Sequence, residues 1–456
     1  MKTHFGHIAW RAAVVVAALL TLSPLAPGQE ETGTVVLEGA LLIDGTGRPP
    51  LPNSALVIQN GTIRAVGKTG PLRYPEGARV IKVRGKTIMP SLINLHGHLG
   101  LTHGLEQSAE NYTKENILGQ LTQYLAYGVG AVVSLGTDQD LLYRLRDLQR
   151  DRDWPGACLY TAGRGFGVEG GYPPPLANAP DRYRPRTAEE ARAQVQELAS
   201  HHPDFAKIWV DDNFGRLPKM PAEISAAIID EAHRHHLRAV AHVFYLADAK
   251  ALVEAGVDGL AHSIRDQKVD LEIEREMKDR GVFLVPTLVR DESTFIYGET
   301  PGWLDDPFFQ AGVSPEVLKA LKSPAFVEKS RDNPDLRKLK AAFEMAKKNL
   351  KSLAEAGVKI GFGTDSGPPA RFQGYFEHRE LQLMVEAGLT PMQAIVSATR
   401  TAAEILGMDS EFGTLAPGKR ANFLVLDANP LADIHNTEKL VEVWQSGEPV
   451  RAVGSD

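Results

Sequence analysis

The sequence predicts an α/β protein: a (β/α)8 barrel of the TIM type with a small β-sandwich domain formed from both chain ends. Three features lead to this prediction, namely a helix–glycine–strand pattern that recurs through the middle of the chain, eight candidate strands within it, and short alternating segments at both ends. The 456 residues suffice for one large domain and a smaller companion. We expect the barrel to span residues 89–409 and the composite β-sandwich to combine residues 29–88 with 410–456.

The recurring pattern consists of an amphipathic helix, a glycine, a valine and a β-rich run. Its glycines are Gly128, Gly256, Gly281 and Gly357. A glycine just past a helix end adopts the left-handed conformation at little cost, and the β-branched residue after it favours a strand. The candidate strands are residues 93–98, 131–137, 157–162, 205–210, 238–243, 259–263, 282–288 and 359–365. Eight strands that alternate with helices indicate a closed parallel barrel, whereas an open sheet lacks its usual signal, a glycine-rich phosphate turn after the first strand.

The two ends of the chain have the pattern of short antiparallel strands. Residues 33–88 alternate around Asp44-Gly45 and Asn60-Gly61, which are dipeptides typical of hairpin turns. Residues 411–450 resume this pattern. We therefore expect the ends to pair in one small β domain beside the barrel.

Two long connections, residues 164–186 and 290–334, follow candidate strands. The second carries the aromatic residues Phe295, Tyr297, Trp303, Phe308 and Phe309, among others. Because the loops after strands form the active face of such barrels, both connections are candidate pocket or lid segments. Packing of the aromatic side chains in a surface excursion is the alternative.

The composition argues against a nucleic-acid partner, and the N-terminal residues predict export from the cytoplasm. The net charge of −7, from 50 basic and 57 acidic residues, offers no basic footprint for nucleic acid. Residues 1–28 have a basic start, a short apolar run and small residues at its end, as in a cleavable export signal, so we expect a bacterial periplasmic or secreted protein. The apolar run is shorter than the roughly 20 residues that span a bilayer, so no stable membrane anchor is expected. Cys158, the only cysteine, excludes an internal disulfide and cysteine-based metal sites.

Histidine and aspartate side chains recur at the ends of candidate strands. His96 and His98 point to the same side of the first strand because strand side chains alternate. His242, His262 and Asp365 stand near the ends of the fifth, sixth and eighth strands. Each alone is compatible with a satisfied core residue. Because neither residue type is stable when buried without a partner, four such strand ends on one barrel face predict a shared metal site.

Lys207 lies in the middle of the fourth candidate strand. A lysine in a fully covered sheet is costly unless its charge is removed or paired. Reaction with CO2 would give a carbamate, an anionic ligand with two oxygens that can bridge two metal ions. A salt bridge to Asp211 or Asp212 is the alternative.

The order of these residues along the chain resembles the metal-ligand set of the amidohydrolase superfamily: His96, His98, Lys207, His242, His262 and Asp365. Residues 39–45, 86–94 and 413–423 resemble its terminal signatures, and residues 254–262 and 356–365 resemble the branch of imidazolonepropionase-like enzymes and metal-dependent prolidases, or Xaa-dipeptidases. The resemblance implies that His96, His98 and Asp365 bind one metal ion and that His242 and His262 bind a second. Carbamylated Lys207 would bridge the two ions.

Three positions depart from the family pattern. Asn94 stands where an acid usually precedes the first histidine by two residues, and Phe244 stands where a second histidine often follows on the fifth strand. The glycine-rich loop after the third strand often contains a histidine, whereas residues 170–173 read Gly-Gly-Tyr-Pro. These departures affect the substrate rather than the ligand set.

The resemblance implies a metal-dependent hydrolase of amide or peptide-like C–N bonds, of the dipeptidase, prolidase or N-acyl amino acid hydrolase type. Water would be activated by the binuclear centre, and Asp365 would act as the catalytic proton acceptor and donor. Zinc is favoured by histidine and oxygen ligands, although manganese, cobalt and nickel also fit. Alternatives are hydrolysis of cyclic amides or lactones, and a single-metal enzyme with unmodified Lys207. A non-catalytic binding barrel is disfavoured because all six ligand positions are intact.

The substrate itself is expected to be a small molecule such as a dipeptide or an N-acyl amino acid. If it carries a carboxylate, the candidate anchors are Arg164, Arg265, Arg290 and Arg371. Tyr245, beyond the fifth strand, and His103, beyond the first, are candidate substrate contacts. The oligomeric state, monomer or homo-oligomer, is left open.

Overall fold

The computed structural model describes residues 33–152, 156–179 and 182–454, so the predicted export signal lies outside it. The strands are β1 Val35–Leu42, β2 Leu51–Gln59, β3 Thr62–Lys68, β4 Arg79–Lys82, β5 Thr87–Pro90, β6 Leu92–Gly97, β7 Thr102–His103, β8 Glu106–Gln107, β9 Val129–Ser134, β10 Cys158–Thr161, β11 Phe205–Trp209, β12 Arg238–His242, β13 Gly259–Ala261, β14 Phe283–Val285, β15 Phe423–Leu426, β16 Leu440–Gln445 and β17 Glu448–Val450.

The α-helices are α1 Lys114–Ala126, α2 Asp140–Arg152, α3 Ala188–Ala199, α4 Ala222–Arg234, α5 Leu246–Glu254, α6 Leu271–Arg280, α7 Leu288–Ser293, α8 Pro307–Gln310, α9 Pro315–Leu321, α10 Pro324–Arg331, α11 Leu336–Ala356, α12 Tyr375–Glu386, α13 Pro391–Val396 and α14 Ala402–Leu406. Short 3-10 helices occupy Ala109–Asn111, Ile296–Glu299, Gly302–Asp305 and Ile434–Glu438, and a π-helical turn occupies Ser397–Thr401. Within the described ranges, no helix is both long and apolar enough to cross a bilayer.

The two ends of the described chain share one β-sheet. Its strand order is β17-β16-β15-β5-β1-β2-β3, with β4 also paired to β1, and the antiparallel β15–β5 pair joins the C-terminal part to the N-terminal part. Asn60 and Gly61 form the tight β2–β3 turn with φ angles of 50° and 73°, as predicted. β1 and β2 form an antiparallel hairpin around Asp44-Gly45, as predicted, but its loop is longer than a two-residue turn: the strands pair only up to Leu42 and Leu51, and the Asp44 carboxylate accepts a hydrogen bond from the Thr46 amide.

The strands in the middle of the chain pair in parallel. One sheet has the order β10-β9-β6 and a second has the order β11-β12-β13-β14. Isolated parallel bridges join Phe166 to Ile208, Leu284 to Ile360 and Gly97 to Ser366. The predicted left-handed glycines between helix and strand are confirmed, since all four have φ angles between 71° and 90°.

Seven of the eight predicted strands are present as regular strands, namely β6 and β9 to β14. The eighth, predicted at 359–365, takes part only through the bridges at Ile360 and Ser366. A Cβ atom on Gly363 would lie 2.6 Å from Val285 Cγ1 and 2.9 Å from the His96 amide nitrogen, so this segment packs more closely on its neighbours than a regular ladder allows. The seventh strand ends earlier than predicted because Pro286 lacks an N–H group and Thr287 has a φ of 51°.

The long connection at 290–334 folds into helices and packs against the core. Phe295, Tyr297 and Phe309 are buried, Trp303 packs against Tyr297 and Phe309, and Phe308 packs against the same hydrophobic core. The packed alternative therefore describes these five aromatic side chains better than a lid does.

Candidate metal centre

Five of the six predicted ligands line one cavity of about 280 Å³: His96, His98, His242, His262 and Asp365. The Nε2 atoms of His96 and His98 lie 3.8 Å and 2.8 Å from Asp365 Oδ1. The ligand atoms of these three residues lie within 4.8 Å of one another. The His262 ring centroid is 4.8 Å from that of His96 and 4.4 Å from that of His242, so the four imidazoles form one continuous group.

The local backbone explains how these side chains reach one place. His242 ends β12, and His262 follows β13 directly with a φ of 75°. The β6–β9 pairing shifts register between Asn94 and Gly97, an irregularity of the kind that re-aims side chains such as His96. Asp365 has a φ of 54°, and its amide donates to the His96 carbonyl over 2.6 Å.

Lys207 is completely buried on β11 beside this group. Within the described part of the chain, its amine makes no hydrogen bond, and the nearest aromatic partner is the Trp209 ring at 5.6 Å. Burial lowers the pKa of Lys207 to about 7, although Asp365 opposes this. The alternative salt bridge is not formed, because Asp211 is bound to His242 and Asp212 is bound to Tyr245. The site thus contains a buried amine with a strong tendency to lose its proton.

Hydrogen bonds to neighbouring residues orient three of the imidazoles. Thr137 Oγ1 lies 2.9 Å from His98 Nδ1, and Thr287 Oγ1 lies 2.6 Å from His262 Nδ1. His242 Nε2 lies 2.7 Å from Asp211 Oδ2. Such partners fix the ring and its tautomer and leave the opposite nitrogen available as a ligand.

The protonation states suit metal binding. Burial lowers the pKa of His242 to about 4, and burial also holds the pKa values of His96 and His262 well below their usual range. Metal ions bind neutral imidazole, so these rings are in the required form at neutral pH. Burial raises the pKa of Asp365, but the Arg371 guanidinium and the imidazoles of His96 and His98 more than offset this and hold it well below its usual value. Neutral imidazoles, an anionic carboxylate and an orphaned buried amine together fit a divalent-metal site.

Two arginines contact the outer oxygen of Asp365. Arg371 Nη1 lies 2.8 Å from Asp365 Oδ2, and Arg290 Nε lies 3.5 Å from the same atom. His98 and His96 are on the side of Oδ1. The carboxylate therefore presents one oxygen to the histidines and the other to the two cations.

A buried carboxylate that the sequence analysis missed supports the site from helix α12. Glu377 accepts hydrogen bonds from Asn94 Nδ2 at 2.7 Å, Thr364 Oγ1 at 2.6 Å and Ser366 Oγ at 2.8 Å, and from the Gly374 amide at 2.6 Å. Asn94 Oδ1 in turn accepts from the His96 amide at 2.8 Å. The one signal in the sequence was Asn94 itself, which stands where an acid was expected.

The predicted substrate residues fall in different places. Arg371 lines the histidine cavity and also a larger cleft of about 670 Å³, whose wall includes His103. Arg265 and Arg290 line a third cavity of about 410 Å³.

Two predicted contacts lie apart from the histidine cavity. Arg164 pairs with Asp140 at 3.1 Å, and the Tyr245 hydroxyl donates to Asp212 at 2.8 Å. Tyr172, which the sequence analysis did not select, lines both the histidine cavity and the third cavity.

Comparisons with known proteins agree with the motifs. A 5-methylthioadenosine/S-adenosylhomocysteine deaminase from Halalkalibacterium halodurans is 24% identical over 435 residues, covering 87% of this chain and 85% of that protein. An imidazolonepropionase from Deinococcus deserti is 36% identical over 102 residues, covering 22% of this chain and 25% of that protein. The solved structure of a candidate prolidase from Bifidobacterium longum superposes with a TM-score of 0.74 at 26% identity, covering 93% of this chain and 96% of that one.

The predicted resemblance to the amidohydrolase superfamily, with imidazolonepropionases and prolidases among the similar proteins, is thereby confirmed. The family implies a (β/α)8 barrel with a β-rich domain and a small-molecule substrate. The model of the amidohydrolase family matches residues 87–453, so the chain belongs to this family, whose members are generally metal-dependent hydrolases that act on C–N bonds.

Proposed function

We propose that this protein hydrolyses an amide or peptide-like C–N bond in a dipeptide or an N-acyl amino acid. The observation that carries the proposal is the cavity lined by four imidazoles and Asp365, with the unpaired amine of Lys207 buried beside it. A binding protein has no need of a buried, unpaired lysine next to neutral histidines, since both are costly to fold. The similarity to a candidate prolidase at 26% identity supports a peptide-like substrate.

We assign the ligands as the resemblance implies. His96, His98 and Asp365 would hold one divalent ion, His242 and His262 a second, and Lys207, as its carbamate, would bridge them. When bound, the ions supply Lewis acidity that polarises the carbonyl and lowers the pKa of water. Zinc is the metal that this donor set favours.

The chain's own residues orient the reactants and move the proton. Asp365 is anionic and lines the cavity, so it can accept a proton from the attacking water and return it to the leaving nitrogen. The water oxygen forms a bond to the carbonyl carbon, the C–N bond breaks, and the products are a carboxylic acid and an amine. Thr137, Thr287 and Asp211 hold the imidazoles in place during these steps.

Arg371 is the preferred anchor for a substrate carboxylate. It is the one of the four candidate arginines that lines the histidine cavity itself. Arg265 donates to the carbonyl oxygens of Val243 and Ser263 and therefore serves the fold first. Arg290 lines only the neighbouring cavity, so it ranks second.

We also infer that the parallel strands close into a barrel through residues 360–366. The bridges at Leu284–Ile360, Gly97–Ser366 and Phe166–Ile208 support this, as does the 2.9 Å hydrogen bond from the Leu95 amide to the Phe362 carbonyl. The composite β domain of 29–88 with 410–456, and export to the periplasm or medium after loss of residues 1–28, remain part of the proposal.

A substrate panel tests the proposed reaction. The purified protein, supplied with zinc and bicarbonate, would be assayed against dipeptides, N-acyl amino acids, a cyclic amide, a lactone and methylthioadenosine. We expect turnover of a dipeptide or N-acyl amino acid with a free carboxylate, and loss of turnover in the His242→Ala variant. Turnover of the lactone, the cyclic amide or the nucleoside alone would contradict the proposed substrate class.

A further inference from the structure

Tyr172 occupies a position that neither the metal ligands nor the predicted substrate residues account for. It follows β10 and lines the histidine cavity, and its ring centroid lies 5.2 Å from that of His242. The same side chain lines the adjoining cavity of about 410 Å³, so it stands at the boundary between the two spaces. A substrate bound over the histidines would therefore meet this ring.

The backbone on both sides of Tyr172 is held in place by one side chain. Arg184 Nη1 donates to the carbonyl oxygens of Val168 at 2.6 Å and Gly171 at 3.2 Å, and Nη2 donates to that of Pro173 at 2.7 Å. A Cβ atom on Gly171 would lie 2.5 Å from Val168 Cγ2, so the preceding position is closely packed. The ring is consequently presented by a fixed loop, as a residue that orients a reacting group needs to be.

The hydroxyl group of Tyr172 is available to a ligand. Across residues 33–152, 156–179 and 182–454, this hydroxyl makes no hydrogen bond, whereas Tyr124, Tyr127 and Tyr297 bind Ser366, the Phe308 carbonyl and the Ala370 carbonyl. Phenolic hydroxyls in partly buried positions usually have a partner. An unused donor on a cavity wall indicates that the partner is the molecule that fills the cavity.

Both cationic and anionic side chains line the adjoining cavity beside Tyr172. Arg265 and Arg290 line this cavity together with Tyr172 and three carboxylates. Arg290 Nε also lies 3.5 Å from Asp365 Oδ2, so this guanidinium group lies close to the proposed reacting centre. In amide hydrolysis negative charge grows on the carbonyl oxygen, and donors that are already aimed at that oxygen stabilise the transition state.

We propose that Tyr172 is a further catalytic residue, whose hydroxyl donates a hydrogen bond to the oxygen of the scissile carbonyl as that oxygen becomes negative. The inference rests on the proposed hydrolysis and deepens it. No bond of Tyr172 breaks: its proton stays on the phenolic oxygen, and the water proton travels by way of Asp365 as described above.

The test compares Tyr172→Phe with Tyr183→Phe in the metal-loaded enzyme, on the best substrate of the panel. Tyr183 is a matched control, because it lies on the same connection and its hydroxyl binds Glu197 outside the cavity. Loss of one oxyanion donor costs about 100- to 1000-fold in kcat. We expect a loss of that size for Tyr172→Phe with KM within about threefold, unchanged kinetics for Tyr183→Phe, and equal melting temperatures. Tyr172→His, which restores a donor, should recover part of the rate.

A pair of inhibitors gives a second measurement that does not depend on turnover. A phosphonamidate analogue of the substrate carries oxygens on a tetrahedral centre, whereas a reduced amide has no oxygen at that position. We expect Tyr172→Phe to weaken binding of the phosphonamidate by at least tenfold and to leave the reduced amide unaffected.

The outcomes separate this inference from the proposed function. An active wild-type enzyme whose Tyr172→Phe variant keeps its kcat and its phosphonamidate affinity overturns the role of Tyr172 alone. A wild-type enzyme that hydrolyses no member of the panel overturns the proposed function and, with it, this role.

Discussion

Replacement of Asn94 by Asp would place a second carboxylate against the buried carboxylate of Glu377. Asn94 Nδ2 lies 2.7 Å from Glu377 Oε1, and both side chains are completely buried. Burial raises the pKa of Glu377, but its four hydrogen-bond donors require acceptor oxygens, so we treat it as the carboxylate. Asn94→Asp removes one of these donors and adds a like charge at the same place.

The expected cost follows from the distance. Two unit charges about 4 Å apart at an effective dielectric constant of about 20 repel by about 4 kcal/mol, and protonation of one carboxylate to avoid this costs a similar amount at neutral pH. Glu377→Gln alone leaves a buried donor unpaired and should cost roughly 1–3 kcal/mol. The double variant Asn94→Asp with Glu377→Gln exchanges amide and carboxylate across the same contact. We expect it to recover part of the stability that Asn94→Asp loses, because the amide introduced by Glu377→Gln can donate to the new carboxylate, although the Thr364 and Ser366 hydroxyls must then find other acceptors.

Urea denaturation of the chelator-treated protein, followed by circular dichroism, measures this cycle. Without metal, effects on ligand affinity do not enter the unfolding free energy. We expect a favourable coupling of at least about 2 kcal/mol between the two positions. Single effects that add within about 0.5 kcal/mol, or an Asn94→Asp variant as stable as the wild type, would refute the account of Glu377 as the acceptor that supports the site.

Three further predictions concern single positions. Lys207→Met should abolish hydrolysis, yet stabilise the metal-free protein in CO2-free buffer at pH 7 by up to about 5 kcal/mol, since the pKa falls from 10.5 to about 7 on folding. Because the unfolded chain binds the Lys207 proton more strongly, the stabilisation of the variant over the wild type, measured by denaturation, should shrink from pH 7 to pH 10.5. A variant less stable than the wild type would contradict this reasoning. His378, buried and bound to the Tyr127 carbonyl at 2.8 Å, has its pKa lowered by burial from 6.5 to about 4. Stability should therefore fall as pH drops through this window, and His378→Gln should remove about 3 kcal/mol of that fall in acid titration; an unchanged slope would be inconsistent. Arg371→Ala should lower kcat/KM for carboxylate-bearing substrates about 10- to 100-fold, whereas Arg164→Ala should match the wild type, and the reverse order would exclude Arg371 as the anchor.

Much of the fold could be predicted because its signals are local. The glycines after α1, α5, α6 and α11 indicate where each helix ends and the next strand approaches, and apolar runs indicate seven parallel strands. The eighth segment has the same local pattern, but Gly361 and Gly363 pack against Leu95, Val285 and His96 from distant parts of the chain. That contact is tertiary, so the sequence alone does not indicate that the ladder is interrupted.

Some residues of the candidate site could likewise be predicted from local sequence patterns, whereas others depend on tertiary packing. Strand-end positions predicted one shared site for His96, His98, His242, His262 and Asp365, and the structure places these five residues around one cavity. The contact between Glu377 on α12 and Asn94 on β6, and the position of Tyr172 on its loop, depend on tertiary packing that no local sequence pattern encodes. For the same reason the sequence left two alternatives open for the aromatic residues of 290–334, a lid or a packed excursion, since their burial is decided by the packing of α8 and its neighbours.

The metal content of the purified protein tests the central claim most directly. Elemental analysis of the wild type, alongside the Asp365→Ala variant, should give about two divalent ions per chain in the former and a marked loss in the latter, because the proposed ligands are imidazoles and a carboxylate of the kind that binds divalent metal ions. A wild-type protein without bound metal that hydrolyses its substrate undiminished in strong chelator would contradict the account.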